Sequence, residues 1–159
     1  MIELTQPENF MKQALQLAIR ALDADEVPIG AIAVHQNRVI GRAHNQTRLL
    51  KDPTAHAEMI AITQAAEALQ HERLLDVEIY VTIEPCAMCI GAMIHARVKR
   101  LYFGAKNAKY GACGSVVNTL RDGAWNHKIE IQDGLLADDA ALLLREFLKS
   151  KRSQEEAQD

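Results

Sequence analysis

No stretch of the 159-residue chain approaches the roughly 20 consecutive apolar residues that a membrane-spanning helix needs, although 48% of its residues are hydrophobic. The apolar residues fall in short runs, which excludes helical membrane spans. The start, Met1 to Phe10, is polar and acidic rather than basic and then apolar, so no secretory signal is expected there. Cysteine is scarce: Cys86, Cys89 and Cys113 are too few, and odd in number, for a disulfide framework, and a reducing, cytoplasmic setting is expected. A basic excess is missing too. The net charge of −3 argues against a general nucleic-acid binder. It leaves room for local basic surface at Arg42, Arg48 and Lys51, at Arg97, Lys99 and Arg100, and at Lys149, Lys151 and Arg152. By themselves such clusters read as solvated faces. There is no internal repeat and no linker, so residues 1–159 read as a single domain, long enough to bury a substantial core.

What is present is an alternation of helical and strand-like segments. Phe10, Ala14, Leu17, Ala18, Ala21 and Leu22 recur at helical spacing and predict an amphipathic helix over about 8–23. Pro28 and Gly30 break the chain. Ala31 to Val34 and Val39 to Ala43 follow as a hairpin turned at Asn37-Arg38, which delivers His44 and Asn45 into a loop, Gln46 to Asp52. Pro53-Thr54 opens a second helix to about Gln70, with Thr54 or Asp52 as its N-cap. Val77 to Ile83 alternates as a strand, and Glu84-Pro85 starts a helix to about Ala96. Val98 to Phe103 is a further strand, 105–125 is loop with short helical turns, and Ile129 to Ile131 is a brief edge strand. A last helix covers about Asp138 to Lys151, acidic at its start and basic near its end, and 153–159 is a frayed polar tail. This order implies an α/β fold: a three-layer α/β/α sandwich with a mixed five-stranded sheet.

Chemistry concentrates in two stretches, Pro53-Thr54-Ala55-His56-Ala57-Glu58 and Glu84-Pro85-Cys86-Ala87-Met88-Cys89. One imidazole and two thiols are the donor set of a catalytic zinc site, which keeps a fourth position open for water. Cys86 and Cys89, three apart, lie about 60° apart on a helix and so share a face. At the first turn, free N–H groups and the helix dipole favour thiolate over thiol. His56 supplies the third ligand and Glu58 a base for moving protons. On a regular helix His56 and Glu58 would point about 200° apart, so both must sit at the very start. The competing reading is a structural zinc site with Cys113 as fourth ligand, which leaves Glu58 unexplained. His35, His71, His95 and His127 are given no role.

His-x-Glu followed by Pro-Cys-x-x-Cys is the signature of zinc-dependent nucleobase deaminases. Beyond it, nearly the whole chain closely resembles the bacterial tRNA-specific adenosine deaminases of the cytidine deaminase-like superfamily. The resemblance runs through Glu26 to Ala31, Asp52 to Glu58, Tyr80 to Cys86 and Gly91 to His95. It continues in Phe103-Gly104-Ala105, Gly114-Ser115 and Asn126-His127. It implies one zinc ion per chain on His56, Cys86 and Cys89, and Glu58 as proton shuttle in the hydrolysis of adenosine to inosine at the tRNA wobble position. It also implies Asn45 bonded to the flipped-out nucleoside, Val27 and Ile29 lining the pocket, and an anticodon stem-loop along Arg42 to Lys51 and the last helix. A homodimer completes the picture, with no organic cofactor and no membrane. Two departures bear on the RNA. Phe147 is followed by Leu148 where relatives often carry paired aromatics, and the loop Gln46 to Lys51 and Leu22 differ from some relatives. The alternatives are a free-base or nucleotide deaminase of the same fold, for guanine or cytosine, and a zinc-stabilised RNA-binding module without catalysis.

Overall fold

The computed structural model describes residues 2–159. Helix α1 spans Gln6–Asp23 and is fixed at its start by a capping box. The Thr5 Oγ1 accepts the Glu8 N–H at 3.3 Å, and the Glu8 carboxylate accepts the Thr5 N–H at 2.7 Å. Strands β1 (Gly30–His35) and β2 (Arg38–His44) form the expected hairpin. After a single helical turn, α2 (Thr47–Leu50), helix α3 runs over Ala57–Leu69. Strand β3 (Val77–Ile83), helix α4 (Ala87–Ala96) and strand β4 (Arg100–Ala105) follow. The short α5 (Thr119–Asp122), β5 (Glu130–Gln132) and the final α6 (Ala137–Glu156) complete the chain.

The five strands order β2-β1-β3-β4-β5. The first two pairings are antiparallel, and β3, β4 and β5 run parallel, as crossovers through α4 and through the α5 segment require. Both faces of the sheet are covered, so the central strands are buried along almost their whole length rather than on alternate residues. Ala31, Ala33, Ile79, Val81, Leu101 and Phe103 pack against α3 and α4, and Ile32, Val34, Tyr80 and Tyr102 pack against α1. Helix α6 closes the second face, where Ala140 meets Ile83 and Ala105 at the strand ends. The expected α/β sandwich with a mixed five-stranded sheet is the observed architecture.

Several boundaries differ from the expected ones. Helix α3 begins at Ala57, not at Pro53-Thr54, because Asp52 is used elsewhere. Its carboxylate accepts both the Thr54 N–H (2.8 Å) and hydroxyl (2.7 Å), closing a local turn instead of capping the helix. Helix α4 begins at Ala87, after Glu84 and Pro85. Helix α6 continues through Glu156, so 153–156 is helical although exposed.

Gly30 marks the close approach of α1 to the start of β1: a Cβ there would overlap the Ala14 carbonyl oxygen in the helix backbone. Gly30→Ala is therefore expected to destabilise the fold by about 1–3 kcal/mol, the range for forced overpacking. A lower urea midpoint at an unchanged slope would register it. An unchanged midpoint would show that α1 moves aside freely.

Candidate metal centre and active site

Two helix starts meet at one end of the sheet. His56 and Cys86 are the N-cap residues of α3 and α4, each with extended backbone (φ −74°, ψ 151° and φ −78°, ψ 173°) and neither using its side chain to cap. Both side chains are therefore free to turn towards each other. The His56 Nδ1 lies 3.6 Å from the Sγ of Cys86 and 3.6 Å from that of Cys89. Among the described residues, these are the group whose donor atoms all lie within 4.8 Å of one another. Cys113 is not part of it. The expected positions in a first helical turn are corrected by one step: His56 and Cys86 sit just outside their helices. That step also removes the 200° conflict, because His56, with its extended backbone, is not part of the helix that carries Glu58.

Glu58 is 3% exposed, and its Oε1 is buried with no hydrogen-bond partner. Burial raises its pKa above the usual carboxylate range, against the opposing effects of its own backbone, the Cys89 thiol and His56. The thiols divide a single charge between them. Hydrogen bonding from Cys89 and then from His56 outweighs burial and lowers Cys86 to about 4, whereas Cys89 is pushed far up by its bond to Cys86, by burial and by the Glu58 charge. His56 is raised by its bond to Cys86. A dication at the nitrogen and sulfurs would release the Cys89 proton, and one nitrogen with two sulfurs suits zinc and leaves a fourth position open. The orphaned Glu58 oxygen supplies an acceptor for a water there.

Asn45 is 4% exposed and spans β2 and α3: its Oδ1 accepts the Ala57 N–H at 2.8 Å, one of the free donors of the helix start. Its own N–H donates to the Ile29 carbonyl at 3.1 Å, and the Ile29 N–H donates to the Val27 carbonyl at 2.8 Å. Ile29 packs against the core beneath the site, while Val27 is half-buried in the segment entering β1. Thus His56, Cys86, Cys89 and Glu58 converge, Asn45 joins them through the α3 backbone, and Val27 is linked only through Ile29.

Two further carboxylates matter that sequence reasoning assigned nothing. Glu26, 1% exposed, accepts the N–H groups of Arg48 (3.2 Å) and Leu49 (2.7 Å) and thereby caps α2 from a distance. Glu84, 2% exposed, accepts three backbone N–H groups and the Ser115 hydroxyl from the 107–115 loop. Burial alone would raise Glu84; the Ser115 hydroxyl and those N–H groups overcome it and hold the carboxyl below its ordinary range. A signal was available for Glu84, an acid that directly follows the apolar end of β3 at Ile83.

Residues 5–152 match the family model described as MafB19-like deaminase. The chain is 43% identical over 148 residues to a tRNA-specific adenosine deaminase of Haemophilus influenzae, covering 92% of this chain and 86% of that protein. It is 46% identical over 144 residues to the one of Agrobacterium fabrum (91% and 95% covered), and 39% identical over 154 residues to the one of Bacillus subtilis (97% and 96%). A solved structure described in a study of A-to-I editing by tRNA:A34 deaminases superposes with a TM-score of 0.83 at 46% identity, covering 86% of this chain and 99% of that one. A guanine deaminase from Nitrosomonas europaea superposes at 0.78 with 27% identity, covering 92% and 86%. The fold and site define a deaminase of the MafB19-like family. Within that class, the chain belongs to the tRNA-specific adenosine deaminases.

In metal-free protein the division of charge has a direct readout. A lowered pKa keeps Cys86 a thiolate at pH 6, while Cys113, pushed up to about 12 by burial and then by the Glu84 and Glu58 charges, stays protonated. Iodoacetamide at pH 6 is expected to modify Cys86 first, with the rate falling only as the pH drops through about 4. Bound zinc should suppress the reaction. Faster labelling of Cys113 would contradict the assignment.

Proposed function

We propose that the chain hydrolyses adenosine to inosine at the wobble position of tRNA, with one zinc ion held by His56, Cys86 and Cys89. The observation that carries the reaction is the buried, unpartnered Glu58 oxygen beside those donors. The substrate follows from the 39–46% identity to tRNA-specific adenosine deaminases over nearly the whole chain, against 27% to the guanine deaminase.

Zinc, when bound, lowers the pKa of a water at its open position towards 7. Glu58 takes the proton of that water and delivers it to ring N1, which makes C6 electrophilic. Burial raises its pKa above the ordinary carboxylate range, which suits a group that must hold a proton before passing it on. The water oxygen bonds to C6, Glu58 moves the remaining proton of that oxygen to the exocyclic nitrogen, and the C6–N6 bond breaks to release ammonia and leave the C6 carbonyl with the first proton on N1. Asn45 is held by the Ala57 N–H through its Oδ1, leaving Nδ2 to donate to the nucleoside. Ile29 and Val27 border the base.

The whole chain acts as one domain and works as a homodimer. Three cysteines without a disulfide and a tRNA substrate support a cytoplasmic setting, and no helix among the described residues is long and apolar enough to cross a membrane. RNA phosphates meet exposed cations. Arg48 and Lys151 are not simply free for that purpose, since both pair with Asp25 (2.6 and 2.5 Å) and tie α2 to α6. Arg42, Lys51, Lys149 and Arg152 are exposed without an ion-pair partner among the described residues.

Purified protein is expected to convert adenosine to inosine in an anticodon stem-loop, and Glu58→Ala to lose about 10²–10⁴-fold or more in kcat while retaining zinc. Deamination of guanine or cytosine with no action on the stem-loop would point to the free-base alternative. Full activity in Glu58→Ala would remove the mechanism. The double substitution of Lys149 and Arg152 by Ala should weaken stem-loop binding and flatten its log–log salt slope by roughly 0.7 for each phosphate no longer neutralised. An unchanged slope would make those residues a solvated face.

A further inference from the structure

Tyr110 is 62% exposed, yet it stands on a loop that is firmly held. The inner side of that loop is wrapped around Glu84, whose carboxylate accepts the N–H groups of Asn107 (3.2 Å), Cys113 (2.9 Å) and Ser115 (3.2 Å). The Pro85 carbonyl accepts the Ala112 N–H at 2.9 Å. A Cβ at Gly111 would overlap both the Glu84 carboxylate and the Asn107 carbonyl, so the wrap depends on glycine there. Glu84 and Pro85 immediately precede the ligand Cys86, and Cys113 packs against the core cluster that contains Cys89. The loop is thus anchored to the metal-bearing turn itself.

The outer side is equally defined. The Asn107 Oδ1 accepts the N–H groups of Lys109 (3.2 Å) and Tyr110 (3.1 Å), fixing the turn from which the Tyr110 ring projects. The Lys109 Nζ lies 5.3 Å from the ring centroid and covers one face. At 62% exposure much of the remaining side chain faces solvent, and Lys106 adds a second exposed cation to the same loop. A preordered, exposed aromatic with flanking cations is the arrangement that stacks unpaired bases while neutralising their phosphates. Neither core packing nor a hydrogen bond from its hydroxyl accounts for the ring.

We propose that Tyr110 is a stacking platform for an unpaired base of the RNA substrate near the reacting adenosine, with Lys109 beside the adjoining phosphate. The proposal rests on the tRNA reading and adds to it a residue that sets where the loop of the RNA is held. Charge recruits the phosphate, and the rigid ring selects a splayed base over a paired one.

The test compares wild type, Tyr110→Phe and Tyr110→Ala on an anticodon stem-loop, measuring kcat, KM, binding anisotropy and zinc content. Tyr110→Ala should raise Kd and KM about tenfold or more, the fold-change for losing one base–aromatic stack, with kcat and zinc content unchanged. Tyr110→Phe should behave as wild type, because the ring is kept. With 2-aminopurine placed in turn at each unpaired position, one position should be quenched by wild type and the Phe variant but not by the Ala variant. Equal KM and Kd for Tyr110→Ala would overturn the proposal, as would Phe being as damaging as Ala. A change of oligomeric state with unchanged stem-loop affinity would assign Tyr110 to a protein interface and also overturn it. If wild type does not deaminate the stem-loop at all, the tRNA reading falls first and the stack with it.

Discussion

Burying the Glu58 carboxyl with one oxygen unpartnered is a cost on the order of 1–3 kcal/mol or more, and the surrounding structure is arranged to bear it. The carboxyl sits where two helix starts converge, and both N-cap positions are given to residues whose side chains face each other and could hold a metal rather than cap. The N–H groups left free are met from outside, as when Asn45 accepts from Ala57. Without that substitution His56 would have to choose between stabilising α3 and facing the thiols. Neighbours in the site pull in opposite directions: hydrogen bonding from Cys89 lowers the Cys86 thiol, the bond to Cys86 raises Cys89, and burial raises Glu58. One dication relieves all three constraints together.

Around this centre, irregular chain is held by buried acids rather than by secondary structure. Glu26 secures the segment Thr47–Leu50 on one side, and Glu84 secures 107–115 on the other. Each accepts several backbone N–H groups, which offsets the desolvation of its charge and converts a long loop into a fixed wall. Asp25 adds an exposed tie between α2 and α6 through Arg48 and Lys151, worth little in stability but useful for orienting the last helix. Recognition surfaces can then be exposed and still preordered, which limits the entropy lost when RNA binds.

Much of this was legible in the residues. The strand Val77–Ile83 coincides with its apolar run, and the hairpin follows from the breakers at Pro28 and Gly30 and the turn at Asn37. The metal donors could be named because thiols three apart and a histidine in a second helix opening have few other uses. What local reasoning missed has a common cause, long-range satisfaction of backbone groups. Helix α2 owes its cap to Glu26, more than twenty residues earlier, and the turn at Asp52 removes the cap that sequence assigned to α3. The apparent conflict between His56 and Glu58 came from treating the cap residue as helical. The end of α6 was set too early because a polar run carries no apolar period, although its residues are good helix formers.

The central claim is an open coordination position beside Glu58, and X-ray absorption at the zinc edge of the zinc-loaded chain tests it most directly. One nitrogen, two sulfurs at about 2.3 Å and one exchangeable oxygen are the expected ligands. A third sulfur, which only Cys113 could supply, or a fourth protein ligand with no exchangeable oxygen, would make the site structural and contradict the claim.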